Sequence, residues 1–188
     1  MTVAPGEQHA TRDATVISTL LGSCVAVCLY DEAGKVAGMN HFLLANRRYA
    51  RSLPLTATEA GRYGLHAMEL LINDMMKLGA SRARLRAKVF GGAAVIGVQG
   101  RDNFLCVGEV NQRFIREYLA TEGMPVMASD LGGEQGRIIH FHTDTFQVFR
   151  RFIPRAQSER LVREEREFWE ESILRNESPD SGKVTLFS

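Results

Sequence analysis

The run Cys24-Val25-Ala26-Val27-Cys28-Leu29-Tyr30 constrains this chain more than any other segment. It is short, apolar and halted by Asp31-Glu32-Ala33-Gly34, which is the pattern of a buried strand closed by a turn. Val36 to Leu44 supplies a second strand directly after that turn, so the two form a hairpin. A core must therefore be assembled around an antiparallel pair.

The remaining segments supply that core. Thr15 to Ser18 is a short β-like run, separated from Cys24 by a turn at Gly22-Ser23. A helix capped by Thr56 or Thr58 carries Leu65, Met68, Ile72, Met75 and Met76 at spacings of three and four, and Gly79 ends it. Arg82 to Phe90 reads as a strand. Asn111 is placed as the N-cap of a second helix running to Leu119. Pro125 to Ser129 is a further strand, and Arg137 to Phe141 with Gln147 to Phe152 makes a closing hairpin. Short strands with two core helices predict an α+β fold: a mostly antiparallel β-sheet core flanked by helices, in a single domain. Residues 1–14 lack periodicity and are expected to be a mobile arm, with the folded domain over 15–155. Residues 156–176 form a charged C-terminal helix with apolar points at Leu161, Val162, Phe168, Trp169 and Ile173, and 177–188 a disordered tail.

Of the 188 residues, 45% are hydrophobic and 24% charged, which suits a globular chain able to bury a core without staples. The net charge of +1 provides no electrostatic case for nucleic acid. No segment reaches the roughly 18 apolar residues of a membrane span. The N-terminus lacks the pattern of a secretory signal, so a cytoplasmic location is expected. Three cysteines, Cys24, Cys28 and Cys106, do not make a disulfide framework and are expected to be free thiols.

A hydrolytic cysteine needs a rigid exposed position, a base to form thiolate and donors for the developing oxyanion. Cys24 follows Gly22-Ser23, where a sharp turn can aim backbone N–H groups at one point. The bland reading, a cysteine buried as a small hydrophobe, fits Cys28 and Cys106. Among the histidines, His9 lies in the arm and His66 beside the helix stripe. His140 and His142 share a face of a late strand. His41 lies on the strand that follows the Cys24 strand, so a hairpin carries it back towards the thiol, and local topology favours it as base.

The blocks Thr19-Leu20-Leu21-Gly22-Ser23-Cys24-Val25-Ala26-Val27-Cys28-Leu29-Tyr30-Asp31 and Gly38-Met39-Asn40-His41-Phe42-Leu43-Leu44 resemble the signature of the CheD family. The resemblance continues in order through Arg62-Tyr63-Gly64, Leu78-Gly79-Ala80, Ala87-Lys88-Val89-Phe90-Gly91-Gly92-Ala93 and Ser129-Asp130-Leu131-Gly132-Gly133. It implies a CheD-like sandwich and a deamidase that converts glutamine side chains of methyl-accepting chemotaxis receptors to glutamate through a Cys thioester. The family nucleophile falls on Cys24, the family histidine on His41, and a family hydroxyl on Thr19 or Ser18. Backbone groups of Gly22 and Ser23 would serve the oxyanion. No cofactor and no metal is implied. Beside receptors, the family is associated with a CheC-type phosphatase, so a non-catalytic adaptor gripping receptor helices or that phosphatase is the rival reading.

Two further features have both readings. Arg47, Arg48 and Arg51 form a basic loop that is either solvated or a receptor contact. His140-Phe141-His142, with Asp144 nearby, has the spacing of a zinc-binding strand, although most such pairs are bland.

Overall fold

The computed structural model describes residues 1–44, 59–94, 107–154, 161, 163–168 and 170–171, with the side chains of 59 and 60 excepted. Strands β1 (Gln8–Thr11), β3 (Val25–Asp31), β4 (Val36–Phe42), β5 (Arg86–Gly91) and β6 (Val126–Leu131) form one sheet in the order β1-β4-β3-β5-β6. Strands β2 (Val16–Leu21), β7 (Arg137–His142) and β8 (Val148–Phe152) form another in the order β2-β7-β8. Every pairing is antiparallel except β5 with β6, whose connection includes helix α2 (Val107–Thr121). Helix α1 (Glu59–Lys77) lies between β4 and β5 in the chain.

The central hairpin shows why the chain makes layers. All seven residues of β3 and of β4 are buried, so neither strand has a solvent face. Successive side chains on a strand point to opposite faces. Val25, Val27 and Leu29 accordingly join a core with Met68, Leu71, Ile72, Met75, Phe114 and Tyr118 of the helices. Cys24, Ala26, Cys28 and Tyr30 join a second core with Ile17, Leu21, Ile139 and Phe141 of the smaller sheet. The result is helices, five-stranded sheet and three-stranded sheet stacked in that order, the α+β architecture expected from the sequence.

Several elements differ from the sequence reading. Residues 1–14 are tied down: Gln8–Thr11 pairs with Ala37–Asn40, and Val3 is buried against the second core. A four-residue strand is too short to announce itself by periodicity, but the β4 edge offers it partners. Arg82–Arg84 is a 3-10 turn, and the strand begins at Arg86. Asn111 is not a cap, because α2 begins at Val107; it lies fully buried inside the helix. Its amide donates to the Ser23 carbonyl at 2.8 Å and its oxygen accepts from Leu44 N–H at 2.8 Å, bonds that outweigh the modest helix preference of asparagine. Among the described C-terminal residues, 161, 163–168 and 170–171 are helical. Cys106, the basic loop of Arg47, Arg48 and Arg51, the caps Thr56 and Thr58, and the tail 177–188 lie outside the described residues.

Candidate active site

Residues 22–24 carry the chain from β2 in one sheet to β3 in the other. That crossing leaves three consecutive peptide groups without ladder partners, and the surroundings hold every carbonyl. Ala93 N–H donates to Gly22 O at 2.7 Å, Asn111 to Ser23 O at 2.8 Å, and Gly92 N–H to Cys24 O at 2.7 Å. Gly91 makes the approach feasible: its φ is +110°, and a Cβ there would stand 2.1 Å from Cys24 O.

The three amides of the same residues converge on one carboxylate. Glu165 Oε1 accepts from Gly22 N–H at 2.8 Å and Cys24 N–H at 3.2 Å. Its Oε2 accepts from Ser23 N–H at 2.7 Å and from the Ser23 hydroxyl at 2.6 Å. The site is therefore a preformed cradle for an oxygen anion beside Cys24. A Cβ on Gly22 would meet the Glu165 carboxylate at 2.7 Å.

His41 faces the same space. Register pairs Ala26 with His41 across β3 and β4, and Cys24 lies two residues before Ala26 on the same face. The Cys24 sulfur, a ring nitrogen of His41 and a carboxylate oxygen of Glu165 lie within 4.8 Å of one another. Thr19, an inward residue of β2, sets the tautomer. Its hydroxyl lies 2.7 Å from Val3 O, to which it donates, and 2.8 Å from His41 Nδ1. The hydroxyl proton being used on Val3, the ring must donate from Nδ1, and a contact of 3.5 Å from Nδ1 to the same Val3 carbonyl agrees. The lone pair is then on Nε2, which is buried and has no hydrogen-bond partner among the described residues.

Burial dominates the electrostatics. It raises the Cys24 thiol well above its ordinary value, and the charge of Glu165 with its hydrogen bond raises it further. Burial also draws His41 down to about 4, against the opposing pull of Glu165, Val3 O and Glu7. With Glu165 seated, the pair is a neutral thiol beside a neutral imidazole.

Cys24, His41 and Glu165 are also the grouping with metal-ligand spacing among the described residues. They fit a cation poorly. Each Glu165 oxygen already takes two hydrogen bonds, which uses its lone pairs, and backbone N–H groups favour an anion in their midst.

Other residues singled out in the sequence lie elsewhere. Ser18 points to the opposite face of β2 from Thr19, and its hydroxyl is 2.7 Å from His140 Nδ1. His142 meets the edge of Phe149, and His140, His142 and Asp144 do not come together at metal-ligand spacing among the described residues. His66 is exposed on α1. Cys28 is buried, and burial raises its thiol. Glu165 was absent from the sequence reading. A signal existed: it falls four residues after Leu161 and three before Phe168, a carboxylate in an apolar helical stripe.

A thiol, a tautomer-fixed imidazole and an anion cradle at a crossing between two sheets are what a hydrolytic or acyl-transfer cysteine protein of α+β fold would need. Comparison with known proteins narrows that class. The family model described as CheD chemotactic sensory transduction matches residues 45–152. A Geobacter sulfurreducens protein named probable chemoreceptor glutamine deamidase CheD 1 is 54% identical over 98% of this chain and 92% of its own length. Probable chemoreceptor glutamine deamidases CheD 2 of Shewanella oneidensis and of Chromobacterium violaceum are 46% and 45% identical, over 84% and 98% of this chain and 78% and 88% of theirs. The chain belongs to the CheD family.

Proposed function

We propose that this protein is a cysteine-dependent protein-glutamine deamidase acting on chemoreceptors, as the names of its relatives describe for them. The observation that supports it most is the cradle of Gly22, Ser23 and Cys24 amides beside a thiol and a tautomer-fixed imidazole.

In this reading His41 Nε2 takes the Cys24 proton as the sulfur attacks the side-chain amide carbon of a receptor glutamine. The carbonyl oxygen becomes an oxyanion held by the three amides. The His41 imidazolium gives its proton to the leaving nitrogen, the C–N bond breaks, and ammonia departs from a thioester. His41 then deprotonates a water molecule that attacks the thioester, and Cys24 leaves as glutamate forms. Thr19 is a positioning residue, holding the imidazole in the Nδ1–H form, as the third member of such triads does.

The substrate is then the cytoplasmic helical region of a receptor, and the protein works in the cytoplasm. Among the described residues no helix is long and apolar enough to cross a membrane. Cys24→Ala should keep the fold and abolish ammonia release from a receptor cytoplasmic fragment, while His41→Ala should lose at least ~10²-fold. Undiminished release by Cys24→Ala would refute the assignment. The rival reading, an adaptor for receptor helices or a CheC-type phosphatase, needs no reactive thiol. Ammonia release that depends on Cys24 separates the two, since an adaptor would bind a receptor fragment without releasing any.

A further inference from the structure

Glu165 arrives at the cradle from 141 residues beyond Cys24, on a helical segment. Nothing in the proposed chemistry uses it. Its carboxylate is the side chain that deamidation of a glutamine would leave behind, and it occupies the donors that would hold the oxygen of such a glutamine. We propose that the helical residues 161, 163–168 and 170–171 occupy the seat of the substrate helix, with Glu165 as a tethered mimic of the product glutamate that a receptor helix must displace. This rests on the deamidase reading above.

Three observations carry it. First, among the described residues the carboxylate is bound as a ligand rather than as an ion-pair partner: the four hydrogen bonds it accepts from them come from N–H or O–H donors of residues 22–24. Buried carboxylates usually keep a cationic partner, and among the described residues none of the hydrogen bonds to Glu165 comes from one. Second, the space over Gly22 is shaped for that group, because the nearest atoms to a Cβ there all belong to Glu165. Third, the segment binds as an amphipathic helix. Leu161 and Phe168 share the face of Glu165; Leu161 is buried near Gly136, and Phe168 packs against the inter-sheet core near Gly6. Arg163, Glu164 and Glu167 lie on the exposed side. The seat thus accepts a helix whose glutamine has an apolar residue four positions before it and another three positions after it.

The occupied state also disarms the thiol. Cys24 and His41 are buried beneath the seated segment, and the Glu165 charge adds to burial in keeping the sulfur protonated.

The test uses the full chain as wild type, Glu165→Ala, Glu165→Gln and Cys24→Ala/Glu165→Gln, each checked for folding by circular dichroism. The first readout is the rate of Cys24 alkylation by iodoacetamide, followed by mass spectrometry, which needs no deamidase activity. Glu165→Ala should alkylate about tenfold faster than wild type or more, as expected when a thiol gains access and loses a neighbouring negative charge. An equal or slower rate overturns the inference, whether or not the protein deamidates receptors.

The second readout is self-deamidation. Glu165→Gln places an amide in the cradle. Cys24 should form a thioester with its side-chain carbon while the C–N bond breaks and ammonia leaves, and water should then restore the carboxylate at position 165. The peptide should gain the mass difference between amide and acid, and the double variant should not. An amide that persists at position 165 of the Glu165→Gln variant while a receptor fragment is deamidated overturns the mimicry. Faster alkylation of Glu165→Ala, with neither that introduced amide nor a receptor glutamine converted, would support the occupied seat and sink the deamidase reading alone. Glu165→Gln keeps the shape of the side chain, so the inference remains testable if Glu165→Ala does not fold.

Discussion

Thr19 Oγ1 stands 2.8 Å from His41 Nδ1, while the hydroxyl of its sequence neighbour Ser18 lies 2.7 Å from His140 on the other face of the strand. Adjacent residues on a strand cannot serve the same site, because their side chains diverge.

The two hydroxyls should therefore separate in kinetics. Thr19→Val removes the acceptor for Nδ1–H and should lower kcat on a receptor fragment by roughly 10-fold or more, whereas Thr19→Ser keeps the hydroxyl and should restore most of it. Ser18→Ala should stay near wild type. A kcat–pH profile checks the positioning role, since loss of the Thr19 bond should move the His41 limb as well as the maximum.

Asn111 ties α2 to both strands of the site, through Ser23 O and Leu44 N–H. Asn111→Ala leaves two buried backbone groups unsatisfied and should cost about 2–4 kcal/mol in urea unfolding. Deamidation of a receptor fragment should fall in the same variant, because Ser23 O is one of the anchors of the 22–24 crossing.

Gly91→Ala should be more damaging than an ordinary glycine substitution. Its φ of +110° disfavours any side chain, and the new Cβ would stand 2.1 Å from Cys24 O, which is backbone and cannot rotate away. Loss of soluble folded protein, or a melting temperature lowered by several degrees with deamidation of a receptor fragment lost, is the expected result.

Asp31 gives the fold an acid-sensitive clasp far from the thiol. Arg84 binds both of its oxygens, at 3.0 and 2.7 Å, and Ser81 and Gly34 N–H groups add two bonds. These contacts, led by the Arg84 hydrogen bonds, hold the carboxyl down to about 2. A depressed folded value means that the unfolded chain takes up protons first. Stability from this clasp is thus full above pH ~4, the unfolded value, and is lost as pH falls towards 2. Urea melts should show Asp31→Asn less stable than wild type by about 1–3 kcal/mol at pH 7, with the gap closing in acid.

The central hairpin was readable because its information is local. An apolar run, an acidic-glycine turn and a second run set the pairing, and the pairing puts His41 opposite Ala26 and so near Cys24. The nucleophile and histidine candidates followed from that and from the ordered CheD-like blocks. Other features had no local signal. β1 is a strand because β4 has a free edge, and Asn111 reads as a cap until α2 is seen to start earlier.

Amino-acid order thus pointed to the α+β plan and favoured His41 as the histidine near Cys24, since strand register propagates over a few residues. It left Thr19 and Ser18 open, because a shift of one residue reverses the face and only packing against β7 and Val3 tells the faces apart. It was silent on the Glu165 contact at Cys24. Contacts between residues 141 apart are made by the folding of whole layers, and the need of three crossing amides for an acceptor appears only once those layers are in place.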